Sequence, residues 1–315
     1  MTRYLVRRLA LAALILWVVS LAVFLLLRVG GGDPALLQQG ISATPEMVAE
    51  VHKEYHLDES YPQQYVRWVG SMARLDFGQS SLTQTDVTAE FKDRFPVSLQ
   101  LMLMTMTWTI LLGIPFGVIS AVARNSPPDY GVRIFSVFGL SVPAFWIATL
   151  VLMIPAQRWG YAPPLNETTN IFLQPLTNIR QFGPPSLVLA LAPTASVMRL
   201  TRSQMLEVLR TDYTRTARAK GLNERTVVLR HALRNSLVPV VTVLGLLMSG
   251  LLGGSVIIEQ IFNLHGIGQF IFTAILRKDF LVVQSLVMFT ASVAILTNLA
   301  VDLFYVLLDP RIRYS

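Results

Sequence analysis

Five long stretches without a charged residue limit what this chain can fold into. They comprise residues 9–27, 97–123, 134–156, 237–258 and 280–301. A helix needs about 20 mostly apolar residues to cross a bilayer, and each stretch has about that length. Charged residues make up 14% of the 315 residues, against about 25% in soluble globular domains, so they are too few to cover a water-facing surface. We therefore predict an all-α polytopic membrane protein.

The distribution of positive charge requires a sixth span. Of the 26 lysines and arginines, 16 fall in four groups, at residues 3–8, 124–133, 199–234 and 311–313. Cytoplasmic loops are enriched in Lys and Arg, so all four groups are assigned to the cytoplasm, and an even number of spans must separate consecutive groups. A short apolar stretch broken by Pro193 must then belong to a span at about residues 183–200.

The predicted organisation has six transmembrane helices and both termini in the cytoplasm. Residues 1–28 hold the N-terminal tail and the first span, residues 29–95 an extracytoplasmic helical segment, and residues 96–315 the core. The core spans are predicted at about residues 97–123, 133–157, 183–200, 237–258 and 280–307, and the longest cytoplasmic loop at residues 201–236.

The extracytoplasmic segment carries two amphipathic helical patterns. Thr44 precedes the first and is placed to cap it, and the second includes Tyr65, Trp68 and Met72. Apolar faces that bear such aromatic residues suit packing on the membrane rim or on a partner subunit.

The residue types needed for catalysis or metal binding are missing or wrongly spaced. The chain has no cysteine, which excludes disulfides, thiolate metal sites and cysteine nucleophiles. His52 and His56 are four residues apart, but Glu54 does not directly follow the first histidine as a zinc-protease helix requires. A solvated helix face is therefore preferred for them. We predict no catalytic residue, metal or cofactor in this chain, and no nucleic-acid binding despite a net charge of +7.

The long cytoplasmic loop has a helical design that a simple connector would not need. Apolar residues at 205–209 extend the fourth span, and residues 214–220 form a short helix that ends at Gly221, a favourable C-terminal cap. Asn223 is placed to cap a further helix that runs towards Pro239. Four cations are available for acidic partner groups; they are Arg215, Arg218, Lys220 and Arg225. The alternative is that they only fix topology or touch anionic lipid.

This loop resembles the cytoplasmic coupling loop of ABC importer permeases. The general motif has Glu-Ala-Ala, Gly three residues later, and Ile-x-Leu-Pro after nine more. Aligned on Gly221, Ala217 and Leu233 match it. Four positions depart from it, at Arg215, Thr216, His231 and Arg234. The departures resemble instead the peptide-class permeases, whose patterns match DYTRTARAKGL at 212–222 and RHALRNSL at 230–237.

Further stretches resemble the same class along nearly the whole chain. They are residues 32–34, 76–80, 141–146, 259–263, 266–268 and 309–314. Gly31 and His265 stand where that class has proline.

The resemblance implies a type I permease subunit of an ATP-driven importer in the inner or plasma membrane of a prokaryote. It implies a second, homologous permease as heterodimer partner, two separate ATPase subunits that bind ATP and Mg, an extracytoplasmic substrate-binding protein, and contact with membrane lipid. The residues expected to dock on an ATPase are Asp212, Tyr213, Arg215, Thr216, Ala217, Arg218, Ala219, Lys220, Gly221 and Leu222.

Substrate and path are less constrained. Peptides are the expected substrate, with nickel or glutathione as alternatives within the class. The rival from another class is an ATP-independent secondary transporter, which would tend to show internal repeats and mid-membrane charges. The predicted path residues are Ser249, Gly253, Ser255 and Glu259. The small residues at four-residue spacing also suit helix packing, which leaves both interpretations open.

Overall fold

The computed structural model describes residues 2–30, 44–160 and 171–308, and this part of the chain is helical. The helices are α1 (Thr2–Gly30), α2 (Pro45–Glu54), α3 (Tyr61–Ala73), α4 (Val87–Val122), α5 (Pro127–Ser141), α6 (Ala144–Trp159), α7 (Pro175–Val208), α8 (Asp212–Ala219), α9 (Glu224–Thr226), a π-helical segment (Val227–Ala232), α10 (Leu233–Ile261), α11 (Ile267–Leu276) and α12 (Phe280–Leu308). Within these residues the only strand-like pairing is an isolated bridge between Gln79 and Asp86. The all-α prediction is confirmed.

The chain divides into two compact units. The first comprises Met1–Ser98 with His265–Leu299, and the second Leu99–Leu264 with Ala300–Ser315. The first unit has an apolar core in which Phe77 and Val87 lie with Ile267 and Leu286. Its polar anchor is Asp279, whose carboxylate accepts hydrogen bonds from the hydroxyls of Ser80 and Ser81.

The aromatic face of α3 packs inside the first unit. The ring of Phe24 in α1 lies 5.5 Å from Tyr65, edge to face, and 6.2 Å from Trp68. The Ser20 hydroxyl is 2.7 Å from the Tyr65 hydroxyl. The first transmembrane helix thus covers part of this aromatic face. Both side chains stay partly exposed, and their contact with the membrane rim or a partner stays a prediction.

Helix α7 is the centre of the second unit. A Cβ on Gly113 or Gly117 of α4 would lie only 2.7 Å from Val197 or 2.6 Å from Thr201, so these glycines permit close approach of the two helices. On another side, a Cβ on Gly139 of α5 would lie 3.1 Å from Ala195. Helix α7 is thus surrounded by protein, although it contains Pro184, Pro185 and Pro193.

Length and apolarity single out fewer spans than the charge distribution does. Four helices in the described ranges are long and apolar enough, within residues 6–26, 87–122, 224–261 and 280–301, or five if α5 and α6 form one span. The predicted fourth span lies inside α7, which has 34 residues and is less apolar. The count of six stays a prediction.

The predicted single helix at residues 133–157 is two helices. Helices α5 and α6 are bent by 99° at the break between Ser141 and Ala144. Val142 has φ −90° and ψ 127°, because the ring of the following Pro143 disfavours the helical region for the residue before it.

The structure also bears on the histidine pair of the outer segment and on two of the family-like stretches. His52 and His56 do not share a helix face, because α2 ends at Glu54 and His56 has φ 54°. The imidazoles contact carboxylates instead, at 3.4 Å from Asp58 and from Glu59. The family-like stretches at 32–34 and 309–314 lie outside the described residues.

Candidate functional site

The cytoplasmic loop forms a short helix that hydrogen bonds fix to the end of α7. The carbonyl of Val208 accepts hydrogen bonds from the hydroxyls of Thr211, at 2.6 Å, and Thr214, at 3.0 Å. Thr214 has no exposed surface. Since the last carbonyls of a helix lack partners within it, these hydroxyls satisfy one of them while starting α8.

The other end of α8 is closed by Gly221. Its φ is +79°, a left-handed conformation in which glycine carries no Cβ penalty. Its N–H donates to the carbonyl of Arg218 at 2.9 Å, and the N–H of Leu222 reaches back to Ala217 at 3.4 Å. This pair of bonds is the Schellman arrangement. The predicted stop at Gly221 is confirmed.

A second cap and an ion pair fix the next turn. The side chain of Asn223 accepts a 2.8 Å hydrogen bond from the N–H of Thr226, as predicted. Arg218 makes two hydrogen bonds to Glu224, at 2.7 and 3.0 Å. These bonds lower the pKa of the Glu224 carboxyl and raise that of the Arg218 guanidinium. A lowered carboxyl pKa means that the pair is intact above the ordinary pKa of glutamate and is lost only as the pH falls through the lowered value.

The helix after this turn begins with an irregular segment. Residues Val227–Ala232 are π-helical, and Val227 and Ala232 have no exposed surface. Val228 and Ala232 pack with Met205 of α7 and Ala121 of α4. Single π turns recur at functional sites because they change the angular register of the residues on either side.

Helix α8 lies against this π segment and has an inner and an outer face. Thr214 and Ala217 are buried, with 0% and 7% of their surface exposed. Tyr213 is held at the edge by a 2.8 Å hydrogen bond from the side-chain amide of Asn235. The remaining predicted docking residues are exposed; they are Asp212, Arg215, Thr216, Arg218, Ala219, Lys220, Gly221 and Leu222.

Sequence reasoning missed three residues that hold the loop. Glu224, Thr214 and Asn235 fix Arg218, the start of α8 and Tyr213 respectively. A threonine three residues after Thr211 at a helix start is a recognisable local signal. The spacing from Arg218 to Glu224 and from Tyr213 to Asn235 crosses helix boundaries and gives no such signal.

The predicted path residues in α10 fall into two groups. Ser255 and Glu259 are buried, and the Ser255 hydroxyl donates a 2.8 Å hydrogen bond to the Glu259 carboxylate. Gly253 is exposed, and a Cβ added to it would meet nothing within 4 Å. Gly245 is the glycine that packs, because a Cβ there would lie 2.1 Å from Val301. In this conformation Gly253 therefore borders open surface, whereas Ser255 and Glu259 do not.

Comparison with known families covers both ends of the chain. Residues 113–314 match the family of binding-protein-dependent transport system inner membrane components, and residues 1–102 match the N-terminal family of the same membrane components. The chain belongs to this transport family. The permease match includes the whole loop between α7 and α10.

Relatives of this permease match it from end to end. A protein of Brucella abortus (strain 2308) named as a peptide transport system permease is 39% identical, and 100% of both chains is covered. The oligopeptide transport system permease protein AppB of Bacillus subtilis (strain 168) is 35% identical, and the di/tripeptide transport system permease protein DppB of Pseudomonas aeruginosa (strain UCBPP-PA14) is 38% identical, each with full coverage.

A solved structure shares the fold of the permease. The crystal structure of an amino acid ABC transporter with histidines matches with a TM-score of 0.50 at 16% identity, over 71% of this chain and 94% of the other. The permease is thus a multi-pass inner-membrane subunit of an ABC importer, and the secondary-transporter alternative is not favoured.

Proposed function

We propose that this permease forms half of the translocation path of a peptide importer, with a second, homologous permease as the other half. The relatives named for peptide, oligopeptide and di/tripeptide transport support the substrate class. Nickel and glutathione remain the alternatives within the same family. The chain itself has no catalytic role in this proposal. ATP and Mg belong to two ATPase subunits, and a substrate-binding protein delivers peptide from outside.

The outer face of α8 is the observation that carries the coupling proposal. This face and the turn that follows it present Arg215, Lys220 and Leu222, all exposed, and hydrogen bonds fix both ends of the helix. A short rigid helix transmits displacement because it cannot absorb it by bending. Exposed guanidinium and ammonium groups suit acidic groups at the rim of a partner groove, and Leu222 supplies an apolar contact.

The division between the two faces sharpens the docking assignment. Ala217 is buried against the body of the loop, so it supports α8 from within and does not contact the ATPase. The contact residues of the proposal are Arg215, Thr216, Ala219, Lys220 and Leu222.

Orientation and path complete the proposal. Both termini and the loop bearing α8 lie in the cytoplasm, in agreement with the cluster of basic residues. Gly253 and Ser249 line the path on α10, where the missing side chains of Gly250 and Gly254 leave open space. Glu259 is bound to Ser255 and stabilises α10 from inside.

Co-purification tests the coupling. The expected result is recovery of a second permease and of ATPase subunits with the wild-type chain, and a loss of ATPase of tenfold or more with Leu222→Asp or Ala219→Glu. Leu75→Asp is the matched control, since Leu75 is also an exposed leucine and lies in the outer segment with φ 59°, where aspartate is tolerated. Equal recovery of ATPase with Leu222→Asp and wild type would contradict the proposal.

Uptake tests the substrate class. Liposomes that contain the complete transporter and the binding protein are expected to accumulate labelled di- or oligopeptide only when ATP is present. Accumulation of nickel or glutathione but not of peptide would replace the substrate. ATP-independent flux by the chain alone would overturn the ABC proposal.

A further inference from the structure

A buried ion pair organises the predicted cytoplasmic edge of the second unit. Asp129 at the start of α5 is fully buried and accepts hydrogen bonds from Arg202 Nε at 2.7 Å and Nη2 at 2.9 Å. It also accepts from the Ser120 hydroxyl at 2.6 Å and the N–H of Asn125 at 3.0 Å. One carboxylate therefore ties α4, α5 and α7 together and neutralises Arg202.

Beside this pair lies a cavity of about 670 Å³ with a basic lining. Besides Arg202 it is lined by Arg124, Arg133 and Arg210, with Glu207 as the acidic residue of the lining. The salt bridges described for this unit take up Arg202 but none of the other three. The positive charge of the lining thus comes from these three exposed arginines, of which Arg133 also lies 5.5 Å from the centre of the Tyr130 ring.

A mostly apolar groove of about 330 Å³ lies next to the cavity. It runs between α5 and α7, and its walls include Val132, Val137, Leu140 and Met198. Arg133, Arg202 and Ser203 line both spaces, so the two are neighbours. Val137 and Leu140 are 65% and 41% exposed, so the groove opens at the apolar surface of α5.

We propose that this cavity and groove bind one anionic phospholipid of the cytoplasmic leaflet. The phosphate would lie between Arg124, Arg133 and Arg210, and an acyl chain would lie along Val137 and Leu140. Basic pockets between transmembrane helices on the cytoplasmic side are suited to such headgroups because each Lys or Arg near the surface adds attraction. The proposal relies on the cytoplasmic orientation proposed above, but not on the substrate or on ATPase docking.

The two-part lining favours a lipid over other anions. Free phosphate would use the arginines but gain nothing from the apolar groove. An acidic protein segment would use the arginines and leave the apolar groove uncovered. A phospholipid fits both parts, because its anionic headgroup and its acyl chain are joined in one molecule and the basic and apolar linings are neighbours.

Native mass spectrometry of the delipidated, intact transporter tests the site by titration with phosphatidylglycerol. Removal of three charges in Arg124→Gln/Arg133→Gln/Arg210→Gln is expected to weaken binding about a hundredfold, at roughly fivefold per arginine. The matched control is Arg225→Gln/Arg230→Gln/Arg234→Gln, three exposed arginines outside the lining, which should bind phosphatidylglycerol like the wild type. Equal loss in both triple variants, or none in the first, would overturn the proposal.

Further experiments test the acyl-chain contact separately from the headgroup contact, and a lipid ligand separately from a protein ligand. Val137→Trp keeps every charge but fills the groove, and is expected to weaken phosphatidylglycerol binding severalfold; unchanged binding would overturn the proposal.

Phosphatidylcholine with the same acyl chains should bind far more weakly, and inorganic phosphate should not displace the lipid. Displacement by phosphate would indicate a free-anion site. Loss of ATPase with full lipid binding in the first triple variant would indicate a protein-docking surface, and either result overturns the proposal.

Discussion

At Gly221 a single backbone angle decides where α8 ends. Its φ is +79°, and a Cβ added there would have no atom within 4 Å. A side chain would therefore cause no steric clash, and its only unfavourable term would be the backbone strain of the left-handed conformation. The residue is thus needed for the direction of the chain into Asn223, and its role in docking is indirect.

Gly221→Ala is expected to destabilise the loop by about 1–2 kcal/mol, because alanine is strained in the left-handed region. The measurement is the melting temperature of the purified protein together with peptide-stimulated ATP hydrolysis by the complex. Gly70→Ala is the control, since Gly70 is inside α3 with equally open surroundings. There the same change should stabilise by up to about 1 kcal/mol. A fall in stability of the same size in both variants would contradict the role of the backbone angle.

Asp129 is the other single residue on which local structure depends. Asp129→Asn replaces one acceptor oxygen by an amide donor that faces donors of Arg202 or Asn125. We expect a loss of about 2–4 kcal/mol, because the Arg202 charge is then left without its partner. Chemical unfolding in detergent measures it. Adding Arg202→Met should restore much of the stability; a double variant as unstable as the sum of both single variants would show that the two residues do not act as a pair.

Among the elements, α7 shows how far the sequence could predict this fold. Its apolarity is low and it contains three prolines, so hydropathy alone does not identify it as a span; the basic residues on either side are what predict one there. The physical reason is that Val197 and Thr201 face glycines of α4, and a helix enclosed by protein needs less apolar surface than one enclosed by lipid. The long α1 and α10 were simple to predict because each contains a long, strongly apolar run.

The loop was predicted in outline but not in its connections. The stop at Gly221 and the cap at Asn223 follow from residue type and were confirmed. The pair of Arg218 with Glu224 and the burial of Ala217 depend on how α8 lies against the π segment. The sequence does not encode that arrangement at any fixed spacing. The bend after Ser141 was missed because prolines in membrane helices more often kink a span than break it.

The π segment provides the prediction at the scale of elements. Deletion of Arg230, an exposed residue within it, should convert the segment to α-helix and rotate Glu224 and α8 by about 100° relative to α10. The chain should still insert and bind the second permease, but peptide should no longer stimulate ATP hydrolysis. Unchanged stimulation in the deletion variant would mean that the register of this segment does not matter for coupling.

At the scale of the whole molecule, the chain is a membrane subunit whose mechanism requires partners. Family membership, end-to-end relatives and helical architecture agree on a permease of an ABC importer. In the proposed mechanism, α8 has an inner face that supports the loop and an outer face that docks on an ATPase.

Site-directed cross-linking in the assembled transporter tests that division most directly. The chain has no cysteine, so each introduced thiol is the only one that this chain supplies. Leu222→Cys and Ala219→Cys, modified with a short photoactivatable reagent, are expected to cross-link to an ATPase subunit, with a yield that changes when ATP is bound. Leu75→Cys should give no such product. Absence of an ATPase product from both Ala219→Cys and Leu222→Cys, in a complex that still hydrolyses ATP in response to peptide, would contradict the proposed docking.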